Sequence, residues 1–196
     1  GGAEPWWFIP EDQADLFERI RATGNDSSLL QVNHGRSGMM DFANYSPGTG
    51  EASDPELWSW DFDVFELINA TSRGDFEELR ADYFSFLNQG LRKVPTGVSD
   101  SHGRSSPCGY GRTDVFLDTE DPSSVTPEQL HAALRAGHVV VAGGLTLRAS
   151  SGSSLPGDEL VGGSHELAAS VRAPDWMRPE VLRLIQLRLA VKQVDP

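Results

Sequence analysis

Asp100 and His102, two residues apart in Gly97-Val98-Ser99-Asp100-Ser101-His102-Gly103, and His34, far upstream in Val32-Asn33-His34-Gly35-Arg36, are the side chains in this sequence best suited to hold a metal ion. In an extended segment residues i and i+2 point to the same side, so Asp100 and His102 can reach one ion together and His34 can supply a third ligand. Imidazoles and carboxylates that converge on a metal with one open position make bound water a nucleophile near neutral pH. That chemistry is metal-dependent hydrolysis. Arg36 and Arg104 flank the three ligands, where a guanidinium would grip a phosphate through two parallel hydrogen bonds. A loop arginine serves equally well as a salt-bridge partner, so both readings stand at this point. Nucleophilic catalysis has less behind it, since there is no Gly-x-Ser-x-Gly elbow and Cys108 has no histidine near it in sequence except His102. His131, His138 and His165 fall in a helical pattern, at a strand start and in a turn-rich stretch, and read as structural or surface residues.

The proposed ligands need elements to hold them. Glu11 to Thr23 carries Leu16, Phe17 and Ile20 at helical spacing and stops at Gly24, before a short strand over Leu29 to Val32. Gly38 to Asp61 is rich in Gly, Pro, Ser and Asp but interspersed with aromatic residues, which predicts a long ordered loop. A second strand over Phe62 to Asn69, an amphipathic helix over Asp75 to Gln89 closed by Gly90, and a third strand over Val94 to Ser99 follow. Their alternation predicts a parallel sheet, and ligands at the carboxyl ends of successive parallel strands lie where α/β folds place their sites. Thr113 to Leu117 reads as another strand, and Thr126-Pro127-Glu128-Gln129 as a helix start, with an N-cap, proline at N1 and glutamine at N3; Gly137 ends that helix. Beyond it, Val139 to Ala142, Leu145 to Leu147 and Leu167 to Val171 are β-type runs between turns, and Val181 to Val191 reads as a further strand by its alternation or as a helix starting after Pro179, with the strand preferred. The fold class is therefore α/β, divided into an α/β portion over 1–137 that carries the site and a β-rich portion over 138–196.

Composition narrows the partners. With 196 residues the chain can bury one full core. A formal net charge of -13 with scattered lysines and arginines would repel a phosphate backbone, which argues against nucleic acid. Arg92, Lys93, Arg104 and Arg112 could still give a local positive mouth for a small anionic substrate such as a phosphoester. The single cysteine, Cys108, excludes an internal disulfide or a cysteine-based zinc cluster, so any metal relies on His, Asp and Glu. No stretch has the apolar length of a membrane span. The expectation is a soluble protein with no membrane partner, its compartment open between a bacterial cytoplasm and export. Trp6-Trp7-Phe8 reads as an aromatic group packed on the domain.

Val32 to Arg36, Phe62 to Asn69 and Leu91 to His102, in this order and spacing, resemble the later motifs of the PHP (polymerase and histidinol phosphatase) metallohydrolases, in particular the CehA/McbA-like branch. Gly111-Arg112-Thr113-Asp114-Val115, the Thr126 to Gly137 helix and Val139 to Gly144 resemble the segment that follows the site in that branch. The resemblance implies part of a distorted seven-stranded β/α barrel and a multinuclear Zn, Mn or Fe site that hydrolyses phosphate esters. Carried over by position, it makes His34, Asp100 and His102 metal ligands and matches Glu66 to the acidic residue of an Asp-x-x-Glu-x-x-Asn strand motif, at or next to the metal. A strand-end carboxylate bonded to the helix that follows is the plainer reading of Glu66. Two departures stand out. Gly35 replaces a frequent proline, and no histidine precedes His34, so the opening His-x-His motif has no counterpart. The chain is then either the later half of a longer or homo-oligomeric enzyme, or a degenerate relative that works as a non-catalytic binding or scaffolding module.

Overall fold

The computed structural model describes residues 13–24, 28–106 and 108–186. In chain order they form α1 (Gln13–Thr23), β1 (Gln31–Val32), a 3₁₀ turn (Gly35–Ser37), α2 (Met39–Phe42), β2 (Tyr45–Ser46), β3 (Glu51–Ala52), β4 (Val64–Asn69), α3 (Arg73–Asn88), β5 (Val94–Val98), β6 (Gly111–Val115), α4 (Pro127–Ala136), β7 (Val139–Gly143), β8 (Thr146–Ser150) and β9 (Ala168–Arg172). Trp6-Trp7-Phe8 and residues 187–191 of the last apolar stretch lie outside the described residues, and Val181 to Gln186 form no strand.

A parallel three-stranded sheet in the order β1-β4-β5 is the frame of the molecule. Val64, Phe65 and Glu66 are all buried, the continuous burial of a strand covered on both faces. α3 begins at Ser72, whose side chain accepts the Asp75 N–H, and lays Leu79 and Phe86 into the core. The Gly38 to Asp61 stretch is ordered, as its composition predicts, because its aromatic residues pack. Tyr45 stacks on Trp58 with ring centroids 4.5 Å apart, Trp58 meets Trp60 edge-on, and Trp60 and Phe65 both meet Phe86 at 5.2 Å.

The parallel arrangement stops at β5. β6 and β7 pair antiparallel with each other, although α4 lies between them in sequence. α4 has the predicted capping box, Thr126 and Gln129 bonding each other's backbone N–H. The β6–β7 pair sits against the free side of β5 through a side chain: Thr113 Oγ1 accepts the Gly97 N–H at 2.9 Å and donates to the Gly97 carbonyl at 3.0 Å. β7, beyond residue 137, thus pairs with β6, before it, so the two predicted portions are joined through a strand ladder. β8 and β9 form a separate antiparallel pair. The molecule is mixed α/β, and none of the four sheets among the described residues closes into a barrel.

Candidate functional site

The ends of the three parallel strands share a backbone feature. His34 follows β1 with φ 50°, Ala70 follows β4 with φ 49° and Asp100 follows β5 with φ 46°. Each turns through the left-handed region, which costs an L-residue about 1–2 kcal/mol and concentrates at functional sites. Two of the three are proposed ligands. A register shift between Glu66 and Ile68 adds a residue to β4 beside them.

Glu66 ties two of these ends together. Its side chain is buried, and Oε1 accepts the His34 backbone N–H at 3.3 Å and the Asn69 Nδ2 at 2.8 Å. The helix that follows is not its partner; the carboxylate holds the His34 turn against β4. Asn69 shares that role.

Asp100 and His102 come together, Oδ1 and Nε2 lying 2.8 Å apart, but on a loop and not on an extended strand, since β5 ends at Val98 and Asp100 turns through left-handed backbone. His102 stays 82% exposed and Asp100 32%. Ser99 anchors this loop, donating to the Gly111 carbonyl and accepting the Gly109 N–H at 2.7 Å. Cys108 is exposed.

The two arginines have different surroundings. Arg36 grips Asp82 with Nε and Nη2, a two-pronged pair with the Nε bond at 2.7 Å, and Nη1 donates to the Tyr45 carbonyl. Asp82 is fully buried on the apolar side of α3, so burial pushes its carboxyl up and the guanidinium offsets this only in part; the same carboxylate raises Arg36 against its own desolvation. In this arrangement Arg36 fastens the 3₁₀ turn after His34 to α3. Arg104 is exposed and makes no ion pair among the described residues.

The remaining histidines lie elsewhere: His131 is half-buried on α4, His138 pairs with Asp158 at 3.0 Å, and His165 contacts the Gly162 carbonyl. One functional-looking group escapes the sequence reading, and one expected in a positive mouth is engaged inside the fold. Asp82 was detectable as an acid between Leu79 and Phe86 on the apolar stripe of α3. Lys93 donates to the carbonyls of Trp60 and Phe62 at 2.6 and 2.8 Å, and burial lowers its ammonium despite nearby Asp63 and Asp61; no pattern marks such a lysine.

The donor types of His34, Asp100 and His102 suit Zn, Mn or Fe. Their arrangement does not complete a shell, because among the described residues no group of three or more His, Cys, Asp or Glu is placed to hold a metal. The strand ends provide a carboxylate–imidazole pair after β5 and one further histidine after β1, on the other side of β4. No helix among the described residues is long and apolar enough to cross a membrane. No family model, no curated protein and no solved structure matches the chain.

Proposed function

We propose that this chain is a PHP-like unit of a metal-dependent hydrolase, a phosphoesterase by preference, in which β1, β4 and β5 are part of a distorted β/α barrel. One observation carries the reading: His34 and the Asp100–His102 pair follow the carboxyl ends of β1 and β5, the strands on either side of β4, with His34 and Asp100 both in left-handed backbone and Glu66 within β4 accepting the His34 N–H. Glu66 and Asn69 orient the His34 turn, Ser99 fixes the loop of Asp100 and His102, and Arg104 is the exposed cation that would meet a substrate phosphate. A bound divalent metal would supply the activated water. Ligands beyond the described residues are required for that, so the reading assigns this chain only part of the shell.

A second reading is favoured by a different observation. Asp100 closes on His102, and Arg36 is engaged by Asp82, as expected of a PHP-like domain kept as a binding or scaffolding module. Metal analysis separates the two. Protein purified without chelator should retain Zn, Mn or Fe near stoichiometry, His102→Ala should lose it, and metal-dependent hydrolysis of an aryl phosphate should disappear with it. Because the His102 side chain is so exposed, the substitution should leave stability within about 0.5 kcal/mol. Metal-free wild-type protein with no turnover after metal addition would sink the hydrolase reading.

A further inference from the structure

We infer that β9 pairs antiparallel with the β9 of a second copy of this chain, about a twofold axis passing through Ala169. Among the described residues β9 has one neighbour, β8, so its other edge offers unpaired backbone groups, and all five of its residues are exposed. Sheets protect such edges with proline, bulges or a central lysine. The segment Glu166-Leu167-Ala168-Ala169-Ser170-Val171-Arg172 has none of these, and its two charges stand at its ends.

The sequence of that edge is complementary to its own reverse. Antiparallel pairing centred on Ala169 sets Glu166 opposite the second copy's Arg172, Leu167 opposite Val171 and Ala168 opposite Ser170. Each match is made twice, as an isologous interface requires. Opposite charges and apolar pairs directly across a ladder are both favourable. Neither Glu166 nor Arg172 makes an ion pair among the described residues, so both are available.

The faces agree as well. Alternation puts Leu167, Ala169 and Val171 on one face, and the β8 register sets Leu147 beside Val171 and Ala149 beside Ala169. The opposite face carries Arg148, Ser170 and Arg172. Leu167 is 58% exposed and Val171 38%. Pairing two copies makes a four-stranded sheet with one continuous apolar face, where an isolated two-stranded sheet is marginal.

Sedimentation of the full chain over a concentration series tests this. The wild type should form a dimer, and Glu166→Lys or Arg172→Glu should each weaken it about tenfold by setting like charges opposite one another twice. The double variant E166K/R172E should restore the wild-type affinity to within about threefold. The two single variants mixed should prefer each other, because each then supplies the charge the other lacks. Both residues are exposed, so circular dichroism should be unchanged throughout. A chain that stays monomeric, a dimer indifferent to both substitutions, or a double variant that fails to recover would each overturn the pairing.

Discussion

Asp82 shows how much of the candidate site depends on one buried carboxylate. It sits between Leu79 and Phe86 on the stripe that α3 presents to the core, and among the described residues only the Arg36 guanidinium, itself largely covered, answers its charge. Replacing Asp82 with Ala removes the two-pronged partner of that guanidinium, leaving it Asp41 and the Tyr45 carbonyl, and should cost about 3 kcal/mol in urea denaturation. Arg36→Ala is the sharper experiment because of its pH dependence. Burial already raises the Asp82 carboxyl in the folded protein, and removing Arg36 raises it further. A group whose folded pKa lies above its unfolded value favours the folded state as pH falls, so the Arg36→Ala deficit should be largest near neutrality and shrink toward pH 4 to 5. A deficit independent of pH would mean that lost packing, and not a stranded charge, is responsible. The meeting of Asp100 and His102 was legible as a pair of residue types close in sequence, although a left-handed turn at Asp100, and not an extended strand, brings them together. The partner of Arg36 was not, because a guanidinium in a loop carries no sequence mark of the carboxylate it will find 46 residues away.

Between elements, two glycines decide how closely the β6–β7 pair can approach β5. A Cβ on Gly111 would lie 2.2 Å from the Val98 carbonyl oxygen, and one on Gly97 would lie 2.8 Å from the Arg112 carbonyl oxygen. Both obstacles are backbone, so neither can move aside as a flexible side chain would. Gly111→Ala should therefore separate the pair from β5, break the Ser99 link to the Gly111 carbonyl and lose at least about 2 kcal/mol. Gly103→Ala, which meets nothing within 4 Å, is the matched control and should be nearly silent. Equal melting temperatures for the two variants would contradict the close approach. The helices were legible because their signals are local: Thr126 and Gln129 bracket the start of α4, and Gly137, at φ 74°, ends it. Strand partners were less so. β6-α4-β7 has the sequence rhythm of a parallel crossover, yet the strands run antiparallel, because periodicity reports which residues are buried and is silent on strand direction. The β-rich end was legible as strands, but the strand preferred over Val181 to Val191 has no ladder within the described residues.

Taken across the chain, burial is unequal. Among the described residues the core runs from Phe17 to Ala142, whereas nine of the twelve exposed large apolar residues lie at or beyond Leu160, so the fold's stability rests on the parallel sheet and its cover. One cluster fastens that cover at the open edge. Arg21 on α1 donates to Asp63 at 2.8 Å and also reaches Asp61, and Asp63 accepts the Leu30 N–H that leads into β1. Burial would raise the Asp63 carboxyl, but the Arg21 hydrogen bond, the Leu30 N–H and the charge of Arg21 outweigh it and hold the group below the ordinary carboxylate range. A depressed folded pKa gives stability that is complete above the unfolded value, about 4, and is lost as pH falls through the folded one. Acid unfolding of the wild type alone would not isolate this effect, since the raised Asp82 works in the opposite direction. Comparison with Asp63→Asn does, because Asp82 is common to both proteins and cancels. The stability gap between them, followed by urea titration, should stay level from pH 7 to about 5 and close below about 4. If it persists unchanged to pH 3, the gap does not arise from the charge of Asp63, and the ion pair with Arg21 contributes little to holding α1 and β1 to β4.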